Sequence, residues 1–148
     1  MRSFILVLLT ALSLYSCSVK DDTDADFRAE TTQKWELISM SGSVANVPPA
    51  TGDDMFWQEY YLFYTNGTFL KSRGQNGSIK EATGTYKTQT LSDGDYLILS
   101  YKTGYELIGS CSSQENKEYL HFSNTQMSNT WNACDGPGPY ICACRIVV

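Results

Sequence analysis

Few residues in this 148-residue chain are equipped for chemistry: five cysteines, one histidine and sixteen acidic side chains. Four of the cysteines, Cys111, Cys134, Cys142 and Cys144, fall in the last third. Cys142 and Cys144 stand two apart, so in a strand they share a face but are held too far apart for a relaxed direct bond. In an exported chain the simplest outcome is two disulfides that join Cys111 and Cys134 to this pair, in either order, each worth roughly 2–4 kcal/mol. The sharper alternative is a thiolate site in which Cys142 and Cys144, with Cys111 and Cys134 or with His121 and Met127, hold a soft ion such as Cu(I) or Zn²⁺. Structural zinc favours a C-x-x-C knuckle, which this sequence lacks, so disulfides are expected and no metal is assigned. His121 lies in the alternating run Tyr119-Leu120-His121-Phe122, where a single histidine reads as an ordinary strand residue. Acid pairs at Asp53/Asp54, Asp93/Asp95 and Glu115/Glu118 sit beside turn residues, where solvated acids are expected. Two carboxylates across a cleft would suit glycoside hydrolysis, but nothing in the sequence brings any pair together. There is no G-x-S-x-G, no Gly-rich phosphate loop and no H-E-x-x-H. A protein with no catalytic residues and no cofactor is expected.

Charge narrows the partners. Sixteen acidic against eleven basic residues give a net charge of −5, and the pI is near 4.7. Such a chain is a poor electrostatic partner for nucleic acid or an anionic membrane face. Much of the imbalance is local: Asp21, Asp22, Asp24, Asp26 and Glu30 stand against Lys20 and Arg28. Before that segment, Arg2 precedes a largely apolar run over 4–14, too short for a bilayer span of roughly 20 residues and of the length of a secretory h-region. Leu14-Tyr15-Ser16-Cys17 then resembles the lipobox of bacterial lipoproteins. The resemblance implies a diacylglyceryl group on the Cys17 thiol, cleavage before Cys17 and acylation of the new amino group, with palmitate the expected kind of chain. At about 0.8 kcal/mol per buried CH₂, several such chains anchor a protein almost permanently. Lys20-Asp21-Asp22 resembles the signal that sends lipoproteins to the outer surface of Gram-negative cells. The expected organisation is a signal peptide over 1–16, an acidic disordered tether over 17–30 and a folded domain over 31–148. The expected location is the bacterial outer membrane, lipid-anchored through Cys17 and exposed at the surface.

From position 31 the texture becomes short alternating runs, at 34–40, 58–64, 68–72, 82–88, 96–101, 105–108, 117–122, 126–131 and 140–147. Asn66-Gly67, Asn76-Gly77, Asp93-Gly94 and Thr103-Gly104 separate several of them with turn chemistry. About eight or nine strands with short connections predict an all-β, antiparallel up-and-down barrel ahead of a sandwich. Only a brief helix, over 26–33 or 53–58, has room to form.

Lys34-Trp35-Glu36-Leu37, Phe63-Tyr64-Thr65-Asn66-Gly67-Thr68-Phe69, Gly84-Thr85-Tyr86 and Asp95-Tyr96-Leu97-Ile98-Leu99 together resemble the small lipocalin-like domains of bacterial envelope lipoproteins. Lipocalins place Gly two residues before the first-strand Trp, where this chain has Gln33. The resemblance implies an eight-stranded barrel with a small apolar cavity at its mouth, for which Trp35, Phe63, Phe69, Tyr86 and Leu97 are the candidate lining residues. In the run 58–64, alternation puts Tyr60, Leu62 and Tyr64 on one face and Tyr61 and Phe63 on the other, so both faces are apolar. Those rings either pack or form a stacking surface for a sugar or an apolar ligand. The expected function is that of a non-enzymatic surface lipoprotein that binds a small apolar or amphipathic ligand or serves as an interaction module. The alternative is a glycan- or protein-binding β-sandwich accessory to nutrient capture.

Overall fold

Alternating apolar and polar residues, broken by turns, organise the described residues into eight strands: β1 (Gln33–Ser41), β2 (Gln58–Phe63), β3 (Thr68–Gln75), β4 (Ser78–Leu91), β5 (Gly94–Thr103), β6 (Lys117–Ser123), β7 (Gln126–Asn129) and β8 (Ile141–Val147). The structure, a computed structural model, describes residues 30–41, 46–109, 116–123, 125–129 and 141–147, with 141–143 and 146 described by backbone alone. The leader 1–16, Cys17, the tether as far as 29, Cys111, Cys134 and the loop between β7 and β8 lie outside the described residues.

Each strand pairs antiparallel with its neighbour in sequence, and β8 returns to β1, which closes an up-and-down barrel. This is a single closed sheet, not the two packed sheets of a sandwich, and closure removes the free strand edges. Asn76 and Gly77 take φ values of 50° and 73°, the left-handed pair that a two-residue hairpin requires, so Gln75 faces Ser78. The run at 105–108 is not a ninth strand. Gly104, at φ 68°, diverts the chain into a 3-10 turn (Tyr105–Leu107) that inserts Leu107 among the core residues. In place of a helix over 53–58, a second 3-10 turn (Gly52–Asp54) covers the start of that stretch and β2 begins at its end, and of 26–33 the described residues 30–33 lead into β1.

The register defines two ends. The start of β1, the β2–β3, β4–β5 and β6–β7 turns and the end of β8 lie together, and the β1–β2 loop, the β3–β4 turn and the β5–β6 connection lie opposite. The first end is packed with apolar side chains. Phe63 is fully buried, stacked on Tyr61 at 5.9 Å and met edge-on by Tyr86 at 5.1 Å, while Phe69 meets Tyr101 edge-on at 5.0 Å. Phe69 faces Gly84 across the β3–β4 pair, beside an irregularity in β4 at Thr83/Gly84. A Cβ on Gly84 would lie 2.0 Å from the Ser100 carbonyl oxygen and 2.7 Å from Phe69 Cε1. Gly84→Ala therefore has to push two strands apart, and urea unfolding should show a loss of about 1–3 kcal/mol. An unchanged midpoint would mean that the strands are not held at this spacing.

Candidate functional site

Strand parity carries charge into the barrel. On β2, Tyr61 and Phe63 point inward, so Glu59 does as well. On β3, inward Phe69 brings Lys71 inside, with Arg73 two residues further on. On β6, Leu120 and Phe122 bring Glu118 inside. The side chains of Glu59, Lys71 and Glu118 keep only 2%, 1% and 1% of their surface, and that of Arg73 keeps 20%. Four charges are thus held at the end of the barrel opposite the β2–β3 turn, two of each sign.

Their hydrogen bonds account for the burial. Lys71 Nζ donates to Glu118 Oε1 at 3.0 Å and Oε2 at 3.2 Å, and to the Leu107 carbonyl oxygen at 2.7 Å, and it lies 3.4 Å from Glu59 Oε1. Glu118 also accepts from the Gly109 amide at 3.0 Å, from the Tyr61 hydroxyl at 3.3 Å and, on Oε2, from the Tyr101 hydroxyl. Arg73 Nε donates to Glu59 Oε2 at 2.5 Å, and its guanidinium lies over the Trp57 ring at 4.4 Å. Burial pulls the Arg73 guanidinium down, but the Glu59 carboxylate and its hydrogen bond more than offset this, leaving it above its ordinary value. Burial first, and then the Glu118 carboxylate, push the phenols of Tyr61 and Tyr101 well above theirs.

That last effect has a measurable sign. Both phenols hold their protons in the folded barrel to higher pH than in the unfolded chain, where tyrosine ionises near pH 10. Their stabilising contribution is whole below about pH 10 and is lost above it, at about 1.4 kcal/mol per pH unit for each phenol. Urea unfolding across that range should show this slope, and Tyr61→Phe with Tyr101→Phe should flatten it.

Beside the charges lies a cavity of about 210 Å³ that is partly open to solvent. Glu59, Lys71, Arg73 and Glu118 form its polar wall; Ile108, Leu120, Met127 and Cys144 form an apolar one, and Trp57, Tyr61 and the exposed Glu106 also border it. A more open groove of about 300 Å³ runs along β1, β2 and β3, bordered by Glu36, Tyr60 and Ile79.

The five aromatic and aliphatic residues expected at a cavity are placed elsewhere. Trp35, Phe63, Phe69 and Leu97 are buried in the core and Tyr86 packs against it; none borders the 210 Å³ cavity. They fill the barrel interior, and the space that remains lies beyond them, next to the ion pairs. Glu118 is not a solvated turn acid but fully buried, because β6 begins at Lys117 and the parity of Leu120 governs it. Asp53 and Asp54 are exposed, Asp93 accepts from Tyr96, and Asp95 accepts from Thr90. His121 is half-buried and meets the Tyr96 ring edge-on at 5.3 Å. Cys144 is buried and faces Leu37 and Met127 across its two neighbouring strands, and the backbone of Cys142 is in register with Met40; Cys111 and Cys134, their expected partners, lie outside the described residues. No known protein family matches the chain, and comparison with characterised proteins and with solved structures gives no match.

Proposed function

We propose that the chain is a lipoprotein of the bacterial outer membrane, anchored through acylated Cys17 and displayed at the surface, whose lipocalin-like barrel takes up a small amphipathic ligand at its mouth. The observation that carries the ligand is the cavity bordered by both ion-paired and apolar side chains. An amphipathic molecule matches such a space better than a wholly apolar one, since polar groups have to be met by polar partners. Both interior carboxylates are already engaged by cations, which favours binding over catalysis. The anchor rests on the Leu14-Tyr15-Ser16-Cys17 pattern and the acidic segment after it. β1 begins at the end opposite the cavity, an arrangement that suits a mouth turned away from the membrane.

Native mass spectrometry of the protein extracted from its own envelope tests both parts. The expected species begins at Cys17, carries acyl chains and retains a small noncovalent adduct. A chain that keeps residues 1–16 would overturn the anchor. Absence of an adduct, with no small amphiphile raising the melting temperature, would overturn the ligand.

A further inference from the structure

We infer that the ligand is a small monocarboxylate held by the guanidinium of Arg73, an inference that rests on the ligand-binding reading above. A tally of donors and acceptors in the polar wall leads to it. Glu118 accepts from Lys71, Gly109, Tyr61 and Tyr101, so its lone pairs are taken up. Lys71 donates to the Leu107 carbonyl and to both oxygens of Glu118, and it is ion-paired with Glu59 at 3.4 Å. Glu59 receives Arg73 Nε on one oxygen and faces Lys71 with the other, and its side chain is almost wholly enclosed. Arg73 is different. Of its five N–H groups, only the one on Nε has a hydrogen-bond partner among the described residues. It is also the one charged group of the wall, among these four, with appreciable surface left.

Among the four charged groups of the wall, the unspent capacity is therefore a planar fork of donors, and the Ser128 and Asn129 side chains also border the cavity. A fork of this shape pairs with a carboxylate through two parallel hydrogen bonds. Trp57 beneath the guanidinium holds its plane in place. Glu106 at the rim opposes an incoming anion, but it is exposed and screened by solvent. Size completes the assignment. A cavity of about 210 Å³ has room for a short-chain fatty acid or benzoate. Its apolar body would lie against Ile108, Leu120 and Met127.

Isothermal titration of the full chain with benzoate, hexanoate, benzamide, hexylamine and palmitate tests this directly. Benzoate should bind at least ten-fold more tightly than benzamide, and hexanoate more tightly than hexylamine or palmitate. Arg73→Gln combined with Glu59→Gln removes both partners, so no carboxylate is left buried alone; it should abolish the preference for benzoate over benzamide. Arg73→Lys, which keeps the charge and loses the fork, should fall between. Equal affinity for benzoate and benzamide, or tighter binding of hexylamine, would overturn the inference and leave the ligand-binding reading standing. Failure of every probe to bind would overturn both. The comparison of probes on the unaltered protein is decisive even if the variants fold poorly.

Discussion

Lys71→Met should lower the stability of the barrel by about 3–5 kcal/mol, and adding Glu118→Gln should restore a large part of the loss. Lys71 is the one cation that touches both buried carboxylates, and methionine leaves Glu118 with neutral donors and Glu59 with Arg73 alone. Buried charges are costly when unmatched, whereas a neutral pair of similar shape is tolerated. The double variant makes the distinction: if the loss came only from packing of the lysine stem, Glu118→Gln would restore nothing. Lys71 also ties the 3-10 turn to the barrel through the Leu107 carbonyl. Faster amide exchange over 105–109 in Lys71→Met than in Glu118→Gln would show that this tie closes the mouth. A single variant as stable as the parent would show that the network does not hold the interior together.

The fold was legible because its signals are local and repeated. Alternation in Tyr61 and Phe63, or in Leu97 and Leu99, and left-handed turn residues such as Asn76-Gly77 are each sufficient to place a strand or its end. What misled was equally local. The run 105–108 reads as a strand by composition, but the left-handed Gly104 and the burial of Leu107 make it a turn. Extra length at β4, which reaches from Ser78 to Leu91, was hidden because exposed Thr, Lys and Glu residues lack an apolar rhythm.

The polar wall was also written in the sequence, in a form that residue type conceals. Counting two back from Tyr61, two on from Phe69 and two back from Leu120 reaches Glu59, Lys71 and Glu118. Charged residues are expected at the surface, so this parity goes unread unless opposite signs are sought on neighbouring inward positions. Lys71 lies directly across from Tyr61, and Arg73 across from Glu59, once β2 and β3 are joined by the turn at Asn66-Gly67. Glu118 comes from a strand far along the chain, and only barrel closure brings it to Lys71. Closure is a property of the whole sheet that no short window contains.

Phe63→Ala should cost about 3–5 kcal/mol and leave the affinity of the folded protein for its ligand unchanged. The ring is fully buried between Tyr61 and Tyr86, so truncation removes two aromatic contacts and opens a void that strands fixed by a closed ladder cannot collapse. Phe63→Leu, which keeps most of the volume, should cost less than about 1.5 kcal/mol. Affinity is the sharper measurement, because Phe63 was an expected lining residue and the structure separates it from the cavity by Tyr61. Binding and unfolding have to be measured at a temperature where the variant remains folded, so that a lower occupancy is not mistaken for weaker contact. Under that condition, a drop in affinity for Phe63→Ala but not for Arg73→Gln with Glu59→Gln would move the ligand into the aromatic half of the barrel. The opposite pattern, stability lost at Phe63 and carboxylate preference lost at Arg73, is what a barrel packed at one end and charged at the other should give.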